Sequence, residues 1–178
     1  MKNLLNIAVK LDVGSKRVKK SETKMIDQDK HEGGCLCGNV RYQTYGSPER
    51  SGVCHCRYCQ LRTGSSFGIS IYFKEENVKV ISGVLNEYSY QTESSRSAII
   101  RFCSNCGSSL FWQVGNFKGL IGVAGGSFDP PTFWYEINRE VFCRSGAPFI
   151  SSNIKEKHQT HPDYQPVKKE SDNLKGRG

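Results

Sequence analysis

Hydrophobic and polar positions alternate over short runs along the middle of this chain, between residues 33 and 150. The plainest run is 67–73. Phe67, Ile69, Ile71 and Phe73 fall on one face and Gly68, Ser70 and Tyr72 on the other, the period-two pattern of a half-buried strand. Further short β-prone runs lie at 40–42, 78–81, 85–90, 98–102, 110–114, 120–124 and 141–143, separated by turn-forming pairs such as Ser82-Gly83, Gly115-Asn116 and Gly125-Gly126. No stretch carries a long 3.6-residue apolar period, so helices are confined to short pieces near 57–64 and 131–135. The pattern predicts a single, mainly β domain of antiparallel strands.

Composition changes this picture at the ends. A chain of 178 residues suffices for one domain with a sizeable core. Residues 1–32 open with Leu4, Leu5, Ile7, Val9 and Leu11, turn lysine-rich, and read as a flexible basic leader. Residues 151–178, charged and polar with Pro162 and Pro166, lack apolar periodicity and read as a flexible tail. The formal charge of +8 is spread over leader, domain and tail, which gives no nucleic-acid patch. No segment approaches the apolar length of a membrane span. A soluble, cytoplasmic protein is expected, with a nuclear location and organellar targeting by the leader left open.

The candidate chemistry lies in the cysteines. Seven of the eight fall in three clusters, Cys35-x-Cys37, Cys54-x-Cys56-x-x-Cys59 and Cys103-x-x-Cys106. Cysteines two apart on an extended chain point the same way, and cysteines three apart converge across a turn, so each cluster can present thiolates to one ion. Disulfides suit this pattern poorly: neighbours so close are poor bridge partners, and no signal-peptide core is read at the N-terminus. Ferredoxin-type spacings are absent too. Two sites follow. Cys35, Cys37, Cys103 and Cys106 close a tetrahedral shell, the mark of a structural zinc, whereas Cys54, Cys56 and Cys59 leave a fourth position for an exogenous ligand or, alternatively, for Cys143. A zinc ion joining the two distant pairs would contribute on the order of 10 kcal/mol, against a net stability of roughly 5–15 kcal/mol for a typical domain.

The stretches Gly34-Cys35-Leu36-Cys37-Gly38-Asn39-Val40-Arg41-Tyr42, Cys54-His55-Cys56-Arg57-Tyr58-Cys59-Gln60 with Gly64 and Phe67, and Phe102-Cys103-Ser104-Asn105-Cys106-Gly107-Ser108-Ser109-Leu110 are followed by Gly126-Ser127-Phe128-Asp129 and by Val141-Phe142-Cys143-Arg144-Ser145-Gly146-Ala147-Pro148-Phe149. In this order they resemble the glutathione-dependent formaldehyde-activating enzyme family, whose domain is shared with centromere protein V. The resemblance covers residues 33–150. It implies a β-tent fold, a structural zinc on Cys35, Cys37, Cys103 and Cys106, and a catalytic zinc on Cys54, Cys56 and Cys59. It also implies carbon-sulfur lyase chemistry, the founding reaction being formation of S-(hydroxymethyl)glutathione from glutathione and formaldehyde. Three departures bear on the substrate: Gln60 and Glu140 stand where many relatives have Arg and His, and Phe149 where many have Trp.

An open three-thiolate zinc suits thiol chemistry, because an incoming thiol can bind as a thiolate and attack an aldehyde while Tyr58, Ser108 or water supplies the proton. An anionic thiol such as glutathione calls for cationic contacts. The candidates are Arg57, placed first for its position inside the central motif, then Arg62, Arg96, Arg101 and Arg144. His55, between two ligands, points to the opposite face and reads as a packing or hydrogen-bonding residue. Phe67, Phe102, Phe111 and Trp112 read as core, and Gly64, Gly107 and Gly126 as turn glycines. Two rival functions stay in view: a non-enzymatic zinc module contacting a macromolecule, and the same scaffold acting on another small adduct.

Overall fold

A computed structural model describes residues 29–167. The leader up to residue 28 and the last eleven positions of the tail lie outside the described residues. The elements in chain order are β1 (Lys30–Gly34), β2 (Arg41–Tyr45), β3 (Arg50–Cys54), α1 (Arg57–Thr63), β4 (Gly68–Lys74), β5 (Val78–Ser82), β6 (Leu85–Gln91), β7 (Ser97–Cys103), β8 (Ser109–Val114), β9 (Leu120–Ala124), β10 (Arg139–Val141) and β11 (Glu156–Lys157). They form a three-stranded sheet ordered β1-β2-β5 and an eight-stranded sheet ordered β11-β10-β3-β4-β9-β8-β7-β6.

The two sheets share one core. Val40, just before β2, and Tyr42 from the small sheet meet Ile71, Phe73, Leu110, Phe111 and Val123 from the large one, all buried. The Tyr42 ring stands edge-on to Phe111 at 5.1 Å and to Phe128 at 5.7 Å, the offset geometry that aromatic quadrupoles favour. Ile71 and Phe73 are fully buried, as their alternation predicts. The other face of β4, expected to meet solvent, is covered as well: Ser70 is buried, and with Tyr72 it borders a cavity. The reason is position, since β4 lies inside the large sheet between β3 and β9.

The strands pair antiparallel as expected, except at one edge of the large sheet, where β10 runs parallel to both β3 and β11; the chain returns to the β3 edge through a long connection, which places no hairpin constraint on direction. Four other expectations are corrected. The short helix read at 131–135 is irregular chain instead. Its rings, Trp134 and Tyr135, pack on Phe128, and five residues cannot repay helix nucleation. The strand read at 141–143 begins two residues earlier and gives way to a single 3-10 turn at Cys143–Ser145. The tail, read as flexible from Ser151, is placed as far as residue 167: β11 joins the sheet, and Cys143 and Arg144 N–H donate to the carbonyls of His158 and Gln159. Likewise β1 begins at Lys30, within the stretch assigned to the leader.

Candidate metal centre and active site

The four-cysteine set comes together as its spacing predicts. Cys35 and Cys37 lie in the turn between β1 and β2, Cys103 ends β7, and Cys106 follows in the turn to β8. Their sulfurs lie within 4.8 Å of one another, with Cys35 to Cys37 at 3.5 Å and Cys37 to Cys103 at 3.8 Å. Backbone N–H groups point at the sulfurs: Val40 donates to Cys35 Sγ (3.2 Å) and Asn105 to Cys103 Sγ (3.4 Å). Such donors favour the thiolate form. Hydrogen bonding to Ser108 lowers the Cys106 thiol to about 5. Ser108 is thereby occupied here, since its hydroxyl also accepts the Leu36 N–H at 3.1 Å. A metal ion with soft ligands and tetrahedral preference, zinc foremost, fits this closed donor set.

The second set is built by a strand running into a helix. Cys54 ends β3, Cys56 is the N-cap residue of α1, and Cys59 sits in its first turn, three residues on and so on the same helix face. The helix stops at Gly64, whose φ of 63° is the left-handed conformation glycine adopts without strain. The three sulfurs lie within 4.8 Å of one another, and Cys143 is outside the group. Its half-buried thiol lies 3.7 Å from the Glu140 carbonyl instead. Three crowded thiols cannot all ionise alone. Hydrogen bonds from Cys54 and Cys56, with the Arg62 guanidinium 3.9 Å away, hold Cys59 well below the ordinary thiol range, while Cys54 is pushed well above it. Three thiols with one side open fit a zinc ion that retains an exchangeable position.

Between Cys54 and Cys56 His55 turns into the interior, as the alternation predicts. It is 2% exposed, and its Nε2 lies 2.7 Å from Glu140 Oε1. The other Glu140 oxygen accepts from Ser152 Oγ (2.5 Å) and Lys157 Nζ (3.1 Å). Burial pushes this carboxyl up, but the bonds from Ser152, His55 and Lys157 outweigh it and bring Glu140 down to about 2. The Glu140 departure thus has a structural partner. So does Gln60, which donates to the Ser145 carbonyl (3.1 Å) and ties α1 to the turn after β10. Phe149 is exposed.

A cavity of about 400 Å³ is lined by Cys54, Cys56 and Cys59, with side chains from six strands of the large sheet around it. Among the predicted arginines, Arg57, Arg62 and Arg96 line it. Arg101 does not, being paired with Glu87 (3.2 Å) and Gln113 (2.9 Å), and neither does Arg144. Sequence reasoning missed Arg50 and Arg139, which reach the cavity from β3 and β10. No local signal marks them, since neither strand's pairing is visible in the sequence. Five guanidiniums, that of Arg139 paired with Glu156 (2.8 Å), against Glu49 and Glu93 leave the cavity electropositive.

Trp112, expected in the core, lines the cavity beside Tyr58, Tyr72 and Tyr90. It follows Phe111 on β8, so the two rings face opposite sides of the sheet. The Trp112 ring lies flat across β9, where a Cβ on Gly122 would fall 2.2 Å from its Nε1, so only glycine fits there. That nitrogen donates to Tyr72 OH (3.0 Å), and Arg62 Cζ sits 3.5 Å from the ring centroid, a cation–π contact that aims the guanidinium at Cys59. Tyr58 stacks on Tyr90 at 5.1 Å, and burial first, then Glu93, raises its phenol, which stays protonated at neutral pH. Ser108 belongs to the four-cysteine set and is not a cavity residue, so Tyr58 alone remains of the two predicted side-chain donors.

The chain is 28% identical over 88 residues to a protein of Schizosaccharomyces pombe named as an uncharacterized lyase, an alignment covering 49% of this chain and 61% of the relative. A crystal structure of a Rhodobacter sphaeroides protein superposes with a TM-score of 0.46 and 23% identity, covering 60% of this chain and 96% of the other. Residues 30–145 match the family described as glutathione-dependent formaldehyde-activating enzyme, a stretch that contains both cysteine sets whole. With that match over more than half its length, the chain belongs to the glutathione-dependent formaldehyde-activating enzyme family.

Proposed function

We propose that this chain is a zinc-dependent carbon-sulfur lyase or synthase that joins a small thiol to a small aldehyde and reverses the joining, glutathione and formaldehyde being the pair the family's description suggests. The observation that carries the reading is the three-thiol cluster in the wall of a cationic, aromatic cavity. Zinc held by Cys54, Cys56 and Cys59 would lower the pKa of an incoming thiol, so that it is ionised at neutral pH.

The rest falls to the chain's own side chains. Arg57, Arg62 and Arg96 bind the carboxylates of an anionic thiol and place its sulfur near the aldehyde carbon. As the sulfur electron pair forms the carbon-sulfur bond, the carbonyl π pair moves to oxygen, and the Tyr58 hydroxyl gives that oxygen its proton. The proton lost by the incoming thiol restores the Tyr58 hydroxyl through solvent; in the reverse direction Tyr58 first passes its proton to solvent and then takes the hydroxyl proton of the adduct as the thiolate leaves. The aromatic walls keep water from competing for the aldehyde.

A turnover screen of aldehydes against several thiols, with zinc-replete protein and Cys56→Ser as control, tests the reading. Acceleration over the solution reaction for at least one pair, lost in Cys56→Ser, is the expected result. Acceleration by neither protein would leave a zinc module that binds a macromolecular partner as the better account.

A further inference from the structure

The cavity is completed by a segment that lies beyond the family-matched stretch, which ends at residue 145. After β11, which pairs with β10 at one edge of the large sheet, the chain runs to the turn joining β6 to β7, at the opposite edge. It is fastened at both ends. His158 N–H donates to the Glu140 carbonyl (2.9 Å) and the His158 carbonyl accepts from Cys143 (3.0 Å) at the start. At the far end Arg96 Nη2 donates to the Asp163 carbonyl (2.7 Å), Tyr164 OH to Glu93 Oε2 (2.8 Å) and Val167 N–H to the Glu93 carbonyl (3.2 Å). His161, between these anchors, and Tyr164, itself part of the far one, enter the cavity wall, edge-on to Phe117 (5.7 Å) and Phe142 (5.2 Å) respectively.

We infer that His161 and Tyr164, carried across the sheet on this strap, are specificity-determining residues that restrict the site to compact thiols of short-peptide size and exclude thiols bearing a bulky tail. The inference rests on the thiol-aldehyde reading given above. The cavity, at about 400 Å³, is near the small end of the roughly 300–1,000 Å³ typical of small-molecule sites, so two rings removed from its wall change what it can hold. The strap contributes shape, while the arginines that meet the thiol's charge come from α1 and from the turn after β6.

The test uses full-length protein with cobalt in place of zinc, as wild type, as His161→Ala/Tyr164→Ala and, should the double variant fold poorly, as Tyr164→Ala. Glutathione is expected to perturb the visible absorption of all of them, and coenzyme A that of the variants only, with discrimination between the two thiols falling by about tenfold or more. Wild type that takes coenzyme A as readily as glutathione, or a folded variant that keeps the wild-type discrimination, overturns the inference. A second measurement needs no thiol: the first zinc lost to a bulky chelator should leave the variants several-fold faster than wild type. If no thiol perturbs the wild-type spectrum, the thiol-aldehyde reading fails, and an unchanged chelation rate would then overturn the strap's role as a wall.

Discussion

Replacing Glu140 with Gln keeps the size of the side chain and removes the charge on which His55, Ser152 and Lys157 converge. The carboxyl, ordinarily at 4.5, is held at about 2 in the fold. At about 1.4 kcal/mol per pH unit that difference amounts to about 3 kcal/mol. Lys157 is 42% exposed, and water screens its share, so about 2 kcal/mol is the expected loss at pH 7, or a fall in Tm of about 4–8 °C. The sign of the pH dependence follows from a folded value below the unfolded one. The stabilisation is present in full above about pH 5 and is lost as pH falls toward 2, so the gap between wild type and Glu140→Gln should narrow in acid. Urea unfolding of both proteins, from pH 7 down to pH 4 with zinc content measured at each pH and only points of equal zinc content compared, measures that gap. Because His55 separates Cys54 from Cys56, the variant should also give up the second zinc more readily. A gap under about 0.5 kcal/mol at pH 7, or one that does not narrow, would refute the charged network as the anchor of this turn.

Mass spectrometry under native conditions should find two zinc ions per chain, falling to one after mild chelation, because three thiolates leave an exchangeable position and four do not. Cys103→Ser should destabilise the fold more than Cys56→Ser, since the first links β7 to the turn after β1 and the second lies beside the cavity; thermal melts showing the reverse order would exchange the two roles. Cys143→Ala should leave the two-zinc count unchanged, its sulfur lying outside both clusters. Tyr58→Phe should lower kcat by about 10- to 100-fold with little change in KM, as expected of a proton donor, and steady-state kinetics at saturating thiol would show otherwise if water does the work.

Local rules carried the sequence reading a long way. Alternation at Phe67, Ile69, Ile71 and Phe73 and the punctuation by turn glycines mark the strands, because side-chain period and turn chemistry are properties of a few neighbouring residues. Cysteine spacing likewise determined both thiol sets, for chelation demands convergence over two or three residues whatever the surrounding fold. His55 was legible in the same way, as the residue between two converging cysteines that turns to the opposite face. What the chain could not declare locally is which strands lie beside which. Pairing across the large sheet decides that Trp112 faces a cavity while Phe111 fills the core, and that Arg50 and Arg139 reach that cavity while Arg101 turns away to Glu87. It also gives β10 its parallel partners and Glu140 its companions His55 and Lys157, eighty-five residues before it and seventeen after. The strap shows the same limit, because a polar segment without periodicity carries no mark of the carbonyls and carboxylates it will bond until the opposite edge of the sheet has been brought within reach.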